Sequence, residues 1–317
     1  MSHIDSHFET IQNEAFSWID VQKPKREDVQ ELGKKFSFHQ LNLDDCLSKI
    51  QLPKIDTYED HMFIILHLPP LRKENGPKFN QLNIFIGKNY LVTVHQGDLN
   101  PLLEMYQICK TNNDERNRIL GTSPAFLLHK IIDSLVDELF HTLKRIEANL
   151  DSIEEAVFDE RRSDAHEISA LRREITSFRR IVIPLRRTIL EISKDVQQFS
   201  TEDLTFYFDD VVDHIDKVLE TLEESKETMD IYKDTDFLLS AQKTNKILAL
   251  LTIIFTLSIP ATTIAAFYGM NINFPGSNVE PWTILGRYTT LVFILSASSI
   301  PTILMFLHFY RRGWLSE

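Results

Sequence analysis

"ILALLTIIFTLSIPATTIAAFYGM", residues 247–270, is a run of 24 residues without a single Asp, Glu, Lys, Arg or His. A helix rises 1.5 Å per residue, so about 20 apolar residues cross a hydrocarbon core about 30 Å thick. The run has that length. "TTLVFILSASSIPTILMFLHF" (289–309) has it too, with His308 near its end. Two such segments are hard to bury in one soluble core, so the chain is expected to end in two transmembrane helices, spanning about 247–270 and 289–309. Pro260 and Pro301 lie inside these spans, where neighbouring helices can satisfy a freed carbonyl.

The flanks give an orientation. Lys243 and Lys246 precede the first span and Arg311 and Arg312 follow the second, while the connecting residues 271–288 carry only Arg287 and Glu280. Lys and Arg accumulate on the cytoplasmic side. Both termini are therefore expected in the cytoplasm and the protein in the cytoplasmic membrane. Tyr268, Trp282, Tyr288, Tyr310 and Trp314 fall near the interfaces with the lipid bilayer, where amphipathic rings settle. Two helices cannot enclose a water-filled path, so a pore would need several copies of the chain.

The remainder is of another character. The four Lys/Arg and two Asp/Glu of residues 246–317 leave 30 basic and 44 acidic residues, a net charge of −14, in the preceding 245. Such a body argues against a nucleic-acid partner, because phosphate binding needs an excess of Lys and Arg, and it favours cations. Cys46 and Cys109 are far apart and form no CxxC, so neither a disulfide framework nor a zinc knuckle is expected. "MSHIDSHFETIQNEAF" lacks the basic and apolar regions of a secretory signal.

Residues 1–120 mix strand and helix patterns and read as a cytoplasmic α/β domain. "SWIDV" (17–21), "HMFIILHL" (61–68), "QLNIFIG" (81–87) and "YLVTVHQ" (90–96) are strand-like. "GKN" (87–89) is a hairpin turn, "KREDVQELGKKF" (25–36) a helix, and another helix is expected around 100–110. Residues 121–244 are helical, with apolar residues at 3–4 spacing in 124–157 and 167–196 and a bend at Pro184. A third helix begins near Thr201 and meets no Pro or Gly before Pro260, so it reads as a stalk leading into the membrane domain, 245–317. Asp209, Asp213, Asp216, Glu220, Glu223, Glu227, Asp230 and Asp234 fall on one face of that stalk. Residues 201–244 hold 13 acidic and 4 basic residues, so local lysines do not neutralise the stripe. It is either a solvated face or a device that concentrates divalent cations.

Tyr268-Gly269-Met270-Asn271, at the outer end of the first span and followed by a short loop and a final span, resembles the signature of the CorA family of magnesium and other divalent-cation channels. "KTNKILALLTIIFTLSIPATTIAAFYGMN" (243–271), "YRRGWL" (310–315), "MDIY" (229–232) and "LNLDDCLSKIQLPKIDTYEDHMFIIL" (41–66) extend the resemblance over most of the chain. It implies an α+β membrane protein assembled as a funnel-shaped homopentamer. It also implies a passive, potential-driven path for hydrated Mg²⁺, with Co²⁺ and Ni²⁺ as further candidates.

Within that resemblance, Tyr268, Gly269, Met270 and Asn271 form the selectivity mouth. Asn271 would offer uncharged amide oxygens to an ion that keeps its waters, and Gly269 would permit close approach and the turn ending the helix. Asn245, Leu248, Leu251, Phe255, Ile259, Thr262 and Ala266 line the pore. A one-residue change of phase would substitute Thr252, Thr256 and Thr263. Asp45 and Asp230 form a regulatory metal site between subunits, with Mg²⁺ as both substrate and regulator. The chain lacks the Met-Pro-Glu-Leu loop of many members, which leaves Glu280 as the sole loop acid. A zinc transporter of the same fold and a membrane-anchored helical scaffold without transport are the competing readings. No P-loop, GxSxG or nucleotide-binding glycine pattern is present, so neither an enzyme, an organic cofactor nor ATP-driven transport is expected.

Overall fold

The computed structural model describes residues 8–48, 51–70, 79–158, 165–270 and 286–313. The chain forms two compact units, Met1–Asp236 and Phe237–Glu317. The first is built on a six-stranded sheet of order β1-β2-β6-β5-β4-β3. Its strands are β1 (Glu9–Gln12), β2 (Ser17–Gln22), β3 (Lys54–Thr57), β4 (His61–Leu68), β5 (Asn80–Gly87) and β6 (Tyr90–His95). Neighbours run antiparallel except β2 and β6, which are parallel.

Every residue of β4 is buried, because alternate side chains serve two cores. Met62, Ile64, Leu66 and Leu68 join a core shared with α3 (Asn100–Thr111), α5 (Pro124–Phe158) and α6 (Ala165–Asp195). Phe63 and Ile65 join a second core closed by α1 (Arg26–Phe36) and α2 (Gln40–Leu47). A sheet covered on both faces has no polar side, so "HMFIILHL" reads as a continuous apolar run. Gly87 pairs with Tyr90 across the two-residue turn at Lys88 and Asn89, the hairpin expected from the sequence. The parallel β2–β6 pair is tied together from inside: Trp18 Nε1 donates to Thr93 Oγ1 (3.1 Å), and Thr93 donates to Asp20 Oδ1 (2.6 Å).

Two strands escape the sequence reading. In β1 only Ile11 is buried, and in β3 no residue is. Both are four-residue strands at the edges of the sheet, where little apolar burial is needed and no alternation results. The short α4 (Asn113–Leu120) is set by its cap: the Asn112 side chain accepts from the backbone N–H groups of Asp114 and Glu115.

α5 and α6 carry 35 and 31 residues, and Pro184 lies inside α6 without ending it. A single helix, α7, runs from Thr205 to Gly269. Arg172 pairs with Asp230, Arg179 with Glu223 and Arg186 with Asp216. The arginines advance by seven as the acids retreat by seven, so α6 and the first part of α7 run antiparallel with a two-turn repeat. This corrects the view of the acidic stripe as uncompensated. Within residues 201–244 Lys226 reaches Glu223 at 2.9 Å and Lys233 lies 3.9 Å from Asp234, and three of the eight carboxylates meet arginines from another helix. Asp209, Asp213, Glu220, Glu227 and Asp234 stay exposed. The second unit holds the rest of α7 and α8 (Thr289–Arg311), the two helices long and apolar enough to cross a membrane among the described residues.

Candidate functional site

Within the second unit, α7 and α8 touch along one side of each. Thr302 Oγ1 lies 3.4 Å from the Leu257 carbonyl oxygen, and the Tyr268 and Phe293 rings stand 6.3 Å apart. Ile253 and Pro260 are buried, and Thr256, Leu257, Ile264 and Tyr268 are half-buried. At about 100° per residue, Ile253, Leu257, Pro260, Ile264 and Tyr268 share one face of α7. Leu248, Leu251, Phe255, Ile259, Thr262 and Ala266 lie about half a turn away, and all are exposed in the chain, as is Asn245 nearer the flank. The alternative phase, Thr252, Thr256 and Thr263, falls between the two faces. Thr262 Oγ1 donates to the carbonyl oxygens of Ser258 (3.1 Å) and Ile259 (3.0 Å). Its hydrogen is thereby held against the helix and its lone pairs face outward.

Of the four signature residues, Tyr268, Gly269 and Met270 are described, whereas Asn271 lies outside the described residues, as do Glu280, Trp282 and Trp314. α7 stops at Gly269, and the Met270 N–H donates to the Phe267 carbonyl (3.2 Å). Gly269 is not among the residues with positive φ, and a Cβ built there would meet no described atom. Nothing among the described residues therefore demands glycine at this point.

The two acids expected to bind a regulatory metal each stand beside a basic side chain of their own chain. Asp45, on α2, accepts from Lys54 Nζ at 2.8 Å, and Lys54 also reaches Asp56 at 2.7 Å. These two hydrogen bonds raise the Lys54 pKa against the lowering effect of burial. Burial, reinforced by Asp45, pushes the adjacent Cys46 thiol far up, so it is no ready thiolate ligand. Asp230 pairs with Arg172 at 3.3 Å.

A different group converges where sequence reasoning did not look. Asp133 on α5 and Asp210 and His214 on α7 bring one carboxylate oxygen each and a ring nitrogen within 4.8 Å of one another. Asp137, one turn beyond Asp133, faces His214 Nδ1 at 3.9 Å. Burial and the neighbouring Asp133 charge hold the Asp137 carboxyl above its usual range. One turn before Asp133, His129 is 3% exposed and packs among Phe126, Tyr207 and Phe208. Burial keeps its imidazole below the ordinary pKa, although Asp133 and Asp210 act in the opposite direction. No Lys or Arg bridges Asp133 or Asp210 among the described residues. The i, i+4 spacing of Asp133/Asp137 and of Asp210/His214 is the only trace in the sequence. It places two ligands on one helix face, but the meeting of α5 with α7 is a tertiary fact.

Comparison with known proteins finds relatives of the chain as a whole. A family model described as CorA-like Mg²⁺ transporter protein matches residues 13–311. YfjQ of Bacillus subtilis is 29% identical over 303 residues, covering 95% of this chain and 91% of that protein. The cobalt/magnesium transport protein CorA of Thermotoga maritima is 27% identical over 305 residues, covering 94% and 83%. The solved complete structure of the CorA magnesium transporter from Methanocaldococcus jannaschii is similar with a TM-score of 0.81 at 21% identity, covering 99% of this chain and 95% of that one.

Proposed function

This chain belongs to the CorA-like Mg²⁺ transporter family, and we propose from that premise that it conducts hydrated Mg²⁺ passively through a pore built from five copies in the cytoplasmic membrane. Both termini face the cytoplasm; residues 1–120 form the α/β domain, 121–244 the helical region and 245–317 the conducting domain. The observation that carries the reading is the face of α7 left uncovered by α8: Leu248, Leu251, Phe255, Ile259, Thr262 and Ala266. Five such faces around an axis enclose a narrow, mainly apolar path. Leu248, Leu251 and Ile259 act as constrictions that gate by dewetting.

Mg²⁺ dehydrates reluctantly and presents water hydrogens to its surroundings. The outward lone pairs of Thr262 suit that shell. The Asn271 amide oxygens and the Gly269 and Met270 carbonyls at the mouth suit it too, without the tight hold a carboxylate would exert. No described atom would meet a Cβ at Gly269, which supports a need for glycine in the approach of neighbouring copies or of the ion. Glu280 supplies the one acid that attracts cations to the entrance.

Cytoplasmic cations regulate the gate. Asp45 and Asp230 serve between copies, where an ion must compete with Lys54 and Arg172. Asp133, Asp210 and His214, without such a competitor among the described residues, serve within each chain and clasp α5 to α7. Loss of the ion leaves clustered carboxylates uncompensated and loosens the closed arrangement.

The test is Mg²⁺ flux into proteoliposomes carrying the purified protein, with Asn271→Ala alongside and Zn²⁺, Co²⁺ and Ni²⁺ as competitors. Flux that follows membrane potential, needs no ATP and loses its selectivity in the variant is the expected result. Zinc flux without magnesium flux would transfer the protein to the zinc reading. Absence of any divalent flux from an assembled protein would leave a scaffold.

A further inference from the structure

The cluster between α5 and α7 has a ligand chemistry that the proposed pore lacks. The pore face and mouth offer hydroxyl, amide and carbonyl oxygens, which suit hard ions. The cluster offers two carboxylates, Asp133 and Asp210, together with the imidazole of His214. Imidazole nitrogen favours first-row transition ions strongly over Mg²⁺, which prefers oxygen alone. Ligand atoms about 2.1 Å from a metal stand about 3–4 Å apart, so groups already within 4.8 Å close on an ion through small side-chain rotations.

Independent observations point to an ion here beyond the presence of acids. His214 Nδ1 is buried and has no hydrogen-bond partner, although Asp137 stands 3.9 Å away. The His214 ring, 38% exposed, meets Phe140 edge-on, with centroids 5.8 Å apart and planes at 85°. His129, almost wholly buried, also has an Nδ1 without a hydrogen-bond partner, and it lies within the electrostatic reach of both Asp133 and Asp210. An unpartnered His214 nitrogen inside the cluster, an unpartnered His129 nitrogen one turn before Asp133, and two carboxylates that no Lys or Arg bridges among the described residues leave polar atoms the described fold does not satisfy.

We propose that Asp133, Asp210 and His214 bind a borderline divalent transition ion, of the class of Co²⁺, Ni²⁺ or Zn²⁺, in preference to Mg²⁺. The ion sensed at this cluster then differs from the ion that passes the pore. This rests on the reading of the cluster as a regulatory site. Asp137 compensates charge from the adjoining turn, and water completes the coordination.

The experiment uses full-length protein freed of metal, titrated with CoCl₂ and followed by the visible d–d absorption of bound Co²⁺, with MgCl₂ as competitor. Wild type is expected to develop the bands of a site containing a nitrogen ligand and to retain Co²⁺ against an excess of Mg²⁺ of about tenfold. His214→Asn is expected to weaken Co²⁺ binding about tenfold or more and to change the spectrum, while Mg²⁺ binding is unaltered. His214→Asp is expected to narrow the gap between the two ions by restoring an all-oxygen site. Bands and affinity that survive His214→Asn, or that yield to a tenfold excess of Mg²⁺, overturn the ion class. The double variant Asp133→Asn/Asp210→Asn separates this from failure of the site itself: bands unchanged in it show that no ion binds there, whereas bands lost in it alone leave the site standing and the ion class refuted.

Discussion

The two parts of α7 are continuous in sequence and opposite in how they are satisfied. Between Thr205 and Asp236 the helix buries Phe208, Val211, Ile215, Val218, Leu222 and Met229 and sends Asp216, Glu223 and Asp230 to arginines of α6. Between Phe237 and Gly269 only Ile253 and Pro260 are buried, and Leu248, Phe255 and Ile259 are 55%, 67% and 55% exposed. An apolar surface of that extent is not stable in water. The first part is completed by its own chain; the second needs lipid and, in the proposed pore, further copies. Equal substitutions should therefore give unequal effects in the two parts.

The largest difference is expected from removing the same kind of side chain in each. Ile215→Ala takes carbon atoms from a fully buried position and should destabilise the first unit by about 2–5 kcal/mol, read as a fall in its denaturation midpoint. Leu251→Ala, at a position 43% exposed in the chain, should cost that unit nothing measurable. A comparable loss of stability from Leu251→Ala would break the contrast.

Function should respond the other way round. Leu251→Asn makes a dewetting constriction wettable. If it lowers the barrier by about 1.4 kcal/mol, flux rises about tenfold. The check is Mg²⁺ uptake by proteoliposomes at fixed membrane potential. Unchanged or reduced flux in a correctly assembled variant would place Leu251 away from the path and favour the phase through Thr252 and Thr256.

The contacts between α6 and α7 rank next. Arg179 and Glu223 pair in the middle of the ladder, each a little over one-third exposed, so their coupling is screened by solvent. A double-mutant cycle with Arg179→Gln and Glu223→Gln should give a small favourable coupling that diminishes as salt is added. A coupling that ignores salt would mean the pair acts by packing.

How much of this was legible in the sequence follows the same division. The membrane helices were readable because lipid imposes a length and an absence of charge that no other environment demands together. β4 and β5 were readable from their apolar runs. β1 and β3 were not, since an edge strand buries too little to carry a pattern. The acidic stripe was visible as spacing, but its partners Arg172, Arg179 and Arg186 belong to another helix, and counting lysines nearby could not find them. The signature around Gly269 was visible through resemblance, while Asp133, Asp210 and His214 needed the packing of α5 on α7. Local spacing shows which residues share a face; only the fold shows what that face meets.

The smallest effect expected is a dependence on pH that also separates the two parts. His67 is buried and stacked on Phe79 with centroids 3.8 Å apart. Burial lowers its pKa, and a hydrogen bond with the Gln51 backbone only partly opposes this. The unfolded chain accepts a proton at about pH 6.5, while the folded unit resists it to lower pH. The contribution of a neutral His67 is therefore complete above about pH 6.5 and declines as pH falls through the folded pKa. His129 shifts in the same direction and adds to the slope. The first unit should hold a constant melting temperature from neutral pH down to about 6.5 and then lose a few degrees, and His67→Asn should shrink that loss. Residues 237–270 contain no histidine, so variants along this part of α7 should leave the acid slope untouched. An acid slope that His67→Asn does not alter would assign the effect to the carboxylates exposed along the first part of the helix.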